Sequence, residues 1–250
     1  MRYLPRPWRR RYRRLAPRRL PRSARSPPLI ERWPEAVIFD MDGLMLDTEG
    51  PALRAWEQAA RAIGCEFDLG LCRQMIGRTF VDCVALIRAR HGSDYPVDQL
   101  TRVWATGYDA IVAAEGVALK PGLDEILDLL EERGIVRAVA TSTRHERARA
   151  KLEAAGLLHR FAALVGGDEV PNGKPAPDIF IMAAARLGVD ARDCLVLEDS
   201  EPGMRAAAAA GMLPVMVPDL HPPSADLLTR CPLVFPSLSA VASQLRAIEP

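Results

Sequence analysis

Asp40 and Asp42 stand two residues apart, directly after the apolar run Ala36-Val37-Ile38-Phe39 and just before Gly43. Such a run reads as a buried parallel strand, so both carboxylates fall where a strand passes into a loop. Open α/β sheets hold their ligands outside the carboxyl ends of strands. The residue types suit a nucleophilic or metal-binding carboxylate at Asp40, a second carboxylate at Asp42 and a turn-permitting glycine at Gly43. An acidic turn after a strand is the plain alternative.

Three downstream segments have the same character. Thr141-Ser142 ends the apolar stretch Ile135–Ala140 and precedes a helical pattern. Hydroxyls and unpaired backbone N–H groups there suit a phosphate oxyanion, and suit a helix cap equally well. Lys174 lies in Asn172-Gly173-Lys174-Pro175-Ala176-Pro177-Asp178, a point charge held in a proline-stiffened loop. Glu198-Asp199 directly ends the run Cys194–Leu197. Adjacent acids there suit a hard, oxygen-seeking cation such as Mg²⁺, or a helix N-terminus.

The elements that must position these residues alternate. From Lys120 onward the patterns read helix (after Pro121-Gly122, stopped by Gly134), strand (Ile135–Ala140), helix, strand (Ala163–Val165), helix (Asp178–Leu187), strand (Cys194–Leu197), helix (Gly203–Ala210), strand (Val215–Val217) and helix (Leu238–Ile248). Thr143 and Glu146 have the spacing of a capping box for the second of these helices. Strands alternating with crossover helices predict an α/β fold with a doubly wound parallel sheet, a Rossmann-like core. Residues 51–116 differ. Leu53, Trp56, Ala60 and Ile63, then Phe80, Val84 and Ile87, then Leu100, Val103, Trp104, Ile111 and Val112 form helical faces, with a shorter helix around Leu71–Ile76. The expected organisation is an α-helical cap, 51–116, inserted into a core made of 35–50 and 117–250. An insertion leaving beside the active end of a strand is placed to cover it, with hinges near Thr48–Pro51 and Gly116–Pro121.

The stretch Asp40-Met41-Asp42-Gly43-Leu44-Met45-Leu46-Asp47-Thr48-Glu49 resembles the first motif of the haloacid dehalogenase superfamily, in its β-phosphoglucomutase-like and phosphoglycolate-phosphatase-like branch. Gly173-Lys174-Pro175-Ala176-Pro177-Asp178-Ile179-Phe180 is similar to the third motif, and the likeness spans about residues 36–217. The resemblance implies Mg²⁺-dependent phosphoryl transfer through an aspartyl-phosphate. It makes Asp40 the nucleophile and Asp42 the general acid and base. Thr141, Ser142 and Lys174 would hold the phosphoryl group. The metal would be held by Asp40, Asp42 (through its carbonyl), Asp199 and Glu198, the last directly or through water. Asp47 would orient the loop, and Arg78, in Met75-Ile76-Gly77-Arg78-Thr79, is a candidate for a second anionic group of the substrate.

Within that family the residues select among reactions. Dehalogenases need neither Mg²⁺ nor a second aspartate, whereas this chain has Asp42 and Glu198-Asp199. Phosphonatases use a cap lysine, and residues 51–116 contain none. The mutase carries a cap histidine where this chain has Ala52. The expectation is a phosphatase acting on a small phosphate monoester, a sugar phosphate or similar. A β-phosphoglucomutase-like mutase is the second reading. A non-catalytic phosphate-binding protein, tethered to nucleic acid, is a third.

The bulk numbers fit. The 250 residues are 49% hydrophobic and 26% charged, as in ordinary globular proteins. The net charge of +1 conceals two unlike parts: residues 1–30 hold eleven arginines and no acid, leaving 22 basic against 32 acidic residues in 31–250, a net charge of −10 there. The basic stretch carries six prolines and, with the residues up to 34, is expected to be a disordered extension. Nucleic acid enters only as a partner of that extension. Five cysteines without a C-x-x-C pair suggest reduced thiols and a cytoplasmic location. The longest apolar run, Ala206–Pro218, is shorter than the ~18 residues of a membrane span. A monomer with no membrane partner is expected.

Overall fold

A computed structural model describes residues 30–66, 68–75, 80–219 and 222–248. In chain order the main elements are β1 (Ala36–Phe39), α1 (Glu49–Ala62), α2 (Leu69–Met75), α3 (Phe80–His91), α4 (Val97–Glu115), α5 (Leu123–Glu132), β2 (Val136–Ala140), α6 (His145–Ala154), β3 (Ala163–Val165), α7 (Asp178–Leu187), β4 (Cys194–Glu198), α8 (Glu201–Ala209), β5 (Leu213–Met216), α9 (Ala225–Arg230) and α10 (Leu238–Arg246). They divide between two compact units, one running to Leu46 and resuming at Leu119, the other comprising Asp47–Ala118.

The first unit is built on a five-stranded parallel sheet of order β3-β2-β1-β4-β5. β1 is central and fully buried, which its unbroken Ala-Val-Ile-Phe run requires, because both faces of a parallel sheet are covered. Phe39 pairs with Val139 on one side and Leu197 on the other, so Asp40, Thr141 and Asp199 all leave the same edge. The chain first winds outward to β3, then returns to the far side of β1 at β4. The strand order therefore reverses between β1 and β4, the switch point where such sheets open a crevice. Small residues allow close packing on one face: Ala138 and Ala140 of β2 lie in one cluster with Ile38, Val196, Ile179, Phe180, Ala183, Ala184, Ala206 and Ala207. α5 packs with α10, and Arg246 donates to Glu125 at 2.6 Å.

In the second unit α1 packs along α4. Trp56 stacks on Trp104 at 4.8 Å, Trp104 on Tyr108 at 5.5 Å, and Arg54 makes a two-point ion pair with Glu115. The chain crosses between the units at Leu46/Asp47 and Ala118/Leu119. α1 begins at Glu49, just after the first crossing. The crossing segments pair with each other: Leu46 bridges Leu119, Lys120 N–H donates to Met45, and Asp47 N–H donates to Ala118.

Two local expectations are corrected. α6 begins at His145, not at a Thr143 cap, and the Thr143–Glu146 capping box does not form. His145 N–H is satisfied by Asp168 Oδ1 at 2.7 Å, and the Thr143 hydroxyl is used elsewhere. α9, a six-residue helix capped by Ser224, has no counterpart in the sequence patterns. None of the five cysteines forms a disulfide, and among the described residues no helix is long and apolar enough to cross a membrane.

Gly122 precedes α5 with φ +87°, and a Cβ there would lie 2.4 Å from the backbone N of Ser239 at the start of α10. Neither the left-handed backbone nor rigid main chain can yield cheaply. Gly122→Ala should destabilise the protein by about 2 kcal/mol, read as a lowered urea midpoint at unchanged m-value.

Candidate active site

Asp40 ends β1 with its N–H bonded to Leu197 O, and its side chain is buried. The Lys174 ammonium donates to Asp40 Oδ1 at 2.5 Å, to Glu198 Oε1 at 2.6 Å and to Ala140 O at 3.2 Å. Lys174 reaches this point from a short loop whose Pro177 is the N-cap of α7, and the Phe180 ring lies 4.9 Å from its Nζ. Only 4% of the lysine side chain is exposed. Burial pushes the Asp40 carboxyl up to about 7, against the pull of Lys174 and with a push from Glu198 and Asp42. Burial alone would lower Lys174, but Asp40 and Glu198 hold it above the ordinary lysine value, so it remains an ammonium.

Glu198 is fully buried with both oxygens engaged. Lys174 holds Oε1, and the Ser200 N–H and hydroxyl both donate to Oε2 at 2.8 Å. The same hydroxyl accepts from Gly203 N–H, capping α8. A Cβ on Gly203 would lie 1.7 Å from Glu198 Oε1, so the first turn of α8 must pass the carboxylate as bare backbone. Asp199 is employed differently. Its Oδ2 lies 2.3 Å from where a Cβ of Gly43 would be, so the carboxylate rests against the loop after β1.

Asp42 is gripped at both oxygens. Lys151 Nζ donates to Oδ1 at 2.7 Å, and the Thr143 hydroxyl donates to Oδ2 at 2.6 Å, with Thr141 Oγ1 at 3.5 Å. Thr141 is buried and accepts from Thr143 N–H. The Ser142 side chain is exposed, while its carbonyl lies under Gly167. The 166–169 turn clamps this segment from beneath: Gly167 N–H bonds to Thr143 O, and Glu169 accepts from Gly166 N–H, His145 Nδ1 and Arg186.

The structure thus forms two neighbouring groups, Asp40 with Lys174 and Glu198, and Asp42 with Thr141, Thr143 and Lys151, with the charge of Asp42 felt at Asp40 and Asp199 against the loop after β1. Thr143, expected only as a helix cap, and Lys151, with no expected role, join the Asp42 group. The signal for Lys151 was its place on the apolar face of α6, between Ala148 and Leu152, both buried. Arg78 and the basic residues 1–29 lie outside the described residues.

Chemically, four carboxyl groups (Asp40, Asp42, Glu198, Asp199) lie with two ammonium groups (Lys174, Lys151). All the donors are oxygen, the chemistry a hard divalent cation prefers. Among the described residues no three His, Cys, Asp or Glu side chains form a complete cation cage. The set fits Mg²⁺, which binds through one or two carboxylates and keeps water and substrate oxygens as its other ligands.

Comparison with known proteins places the chain among hydrolases. A family model described as haloacid dehalogenase-like hydrolase matches residues 34–211. Fructose-1-phosphate phosphatase YqaB of Escherichia coli is 33% identical over 184 residues, 74% of this chain and 96% of that protein. The bifunctional riboflavin kinase/FMN phosphatase of Arabidopsis thaliana is 30% identical over 84% of this chain, which spans only 55% of that longer relative. The crystal structure of CbbY from Rhodobacter sphaeroides in complex with phosphate superposes with a TM-score of 0.71 at 28% identity, covering 85% of this chain and 99% of that one.

Gly203→Ala should displace Glu198 and strip a partner from a buried lysine. The expected loss is about 3 kcal/mol of stability by urea denaturation, with catalysis falling in parallel. A second expectation concerns Glu169. Burial raises its carboxyl, but the bonds from Arg186, Gly166 N–H and His145 outweigh that and bring it down to about 2 from an ordinary 4.5. A folded value below the unfolded one makes this contribution complete above 4.5 and lost as pH falls toward 2. The stability gap between wild type and Glu169→Gln should accordingly narrow between pH 5 and pH 3 in urea titrations.

Proposed function

From a chain that belongs to the haloacid dehalogenase-like hydrolase family, we propose a Mg²⁺-dependent phosphatase that hydrolyses a small phosphate monoester, a sugar phosphate or similar, through an aspartyl-phosphate on Asp40. Its place among the phosphoric monoester hydrolases rests on the family and on relatives named as phosphatases. The observation that carries the mechanism is the Lys174 ammonium bonded to Asp40, with Asp42 two residues on and held by its own donors.

Asp40 attacks phosphorus in line. A carboxylate and a phosphate dianion repel one another, and the buried Lys174 offsets that repulsion in surroundings that screen little. Asp42 gives a proton to the departing oxygen, then takes one from the water that cleaves the aspartyl-phosphate. Thr141, the backbone near Ser142 and Lys174 receive the phosphoryl oxygens. The metal would be held by Asp40, the Asp42 carbonyl and Asp199. Glu198 would act mainly through Lys174, since both its oxygens are already engaged. When bound, Mg²⁺ neutralises charge on the phosphoryl group and on Asp40.

Hydrolysis is preferred to transfer between sugar positions. Ala52 offers no titratable side chain, and its carbonyl accepts from Trp104 Nε1 at 3.2 Å. A sugar phosphate suits the likeness to the E. coli enzyme named as a fructose-1-phosphate phosphatase. Five thiols suit a reducing compartment, which favours the cytoplasm.

A screen of phosphate release from many monophosphates should find turnover with Mg²⁺ that EDTA removes. Asp40→Asn should reduce it to background, and Lys174→Met should lower it roughly 100- to 1000-fold. Turnover surviving EDTA or Asp40→Asn would sink this mechanism, and a sole isomerised sugar phosphate product would restore the mutase.

A further inference from the structure

Lys151 belongs to α6, away from the strand ends, yet its side chain is only 13% exposed and its ammonium lies 2.7 Å from Asp42 Oδ1. The Thr143 hydroxyl holds Oδ2 at 2.6 Å. A carboxylate held at one oxygen can still rotate about its Cβ–Cγ bond, whereas one held at both has a fixed plane. Both donors come from the segment after β2. That segment is itself anchored by Gly167 N–H on Thr143 O and by Asp168 on His145 N–H.

The two donors differ in kind. An ammonium donates and never accepts, whereas a hydroxyl does either. A proton cannot sit between Lys151 and Oδ1, but Thr143 can donate to an ionised Oδ2 and accept from a protonated one. We infer that Lys151 is a positioning residue that anchors Oδ1 of Asp42 and so makes Oδ2 the oxygen that carries the transferable proton. This rests on reading Asp42 as the general acid and base.

The proton balance follows. In the first half-reaction Asp40 forms a bond to phosphorus, the bond from phosphorus to the alcohol oxygen breaks, and the proton on Asp42 Oδ2 passes to that oxygen. In the second, Oδ2 takes a proton from water as the water oxygen bonds to phosphorus. The Asp40–phosphorus bond then breaks, releasing inorganic phosphate and restoring Asp40 and protonated Asp42. Lys151 touches neither ester nor water in this scheme. It sets the direction of transfer, and misdirection by about 1 Å can cost two orders of magnitude.

The test compares an alkyl phosphate turned over by the wild type with p-nitrophenyl phosphate, whose phenolate departs without a proton. In kcat/KM, which reports the steps through departure of the leaving group, Lys151→Met should lose roughly 10- to 100-fold on the alkyl ester and less than about threefold on the aryl ester. Lys151→Gln, which keeps a donor, should lose less on the alkyl ester. Equal losses on both esters would reduce Lys151 to a structural role and overturn the proposal. Asp42→Asn, run alongside, separates the failures. If it is selective for the alkyl ester while Lys151→Met is not, the proposal falls and the acid/base role of Asp42 stands. If Asp42→Asn is not selective either, both fall. Should Lys151→Met not fold, Lys151→Gln and Thr143→Val carry the same comparison, and equal losses on both esters by these two overturn the proposal.

Discussion

One ammonium between two buried carboxylates organises this structure. Lys174 ties the end of β1 to the end of β4 across the point where the strand order reverses, and it draws its own loop and the start of α7 inward. Buried ion pairs are a poor source of net stability, because desolvation consumes most of the attraction. Their value lies in what happens when one partner is missing: an unpaired buried charge costs about 3–5 kcal/mol. The arrangement is held by penalty. Asp40, Lys174 and Glu198 are each retained because the other two are present, and this holds Asp40 where chemistry can use it.

The surrounding backbone obeys that constraint by giving up side chains. Gly203 passes Glu198, Gly43 passes Asp199, and Gly166 and Gly167 pass the 142–145 segment, each at a distance no Cβ could tolerate. None of these four glycines follows from strand or helix periodicity. Each instead marks a place where a polar side chain or a main chain must lie flat against another main chain. The second grip, Lys151 and Thr143 on Asp42, is made in the same way by a segment clamped from beneath by the 166–169 turn. Two aspartates separated by one residue are thus controlled by different parts of the sheet: Asp40 from the β4 side, Asp42 from the β2 side.

The parts of this architecture legible in the sequence are those governed by local burial. Ala36–Phe39 and Cys194–Leu197 are unbroken apolar runs because both sheet faces are covered, and the helical faces of α1 and α4 repeat at the spacing of a one-sided core. The acids that end those runs were conspicuous because an apolar stretch rarely stops on two carboxylates. Thr143 and Lys151 were illegible for the opposite reason. Their meaning depends on a carboxylate about a hundred residues away, and locally each has a commoner use, as a helix cap and a solvated charge. The start of α6 was misjudged on the same ground, since its cap is supplied by Asp168 from another loop. The short α9 buries only Leu227 and leaves too few apolar positions to declare a period.

The paired crossing segments have a consequence for lineage. Asp47 and Ala118 are joined by a main-chain bond of 2.8 Å, and Leu46 bridges Leu119 beside them. Seventy-two residues are therefore carried on a socket no wider than a hairpin turn. The sheet needs only those two ends to meet, whatever lies between them. A helical module could be shortened, replaced or rebuilt at this point while the strand ends kept their register. Selection can thus alter that module while leaving untouched the polar groups at the strand ends.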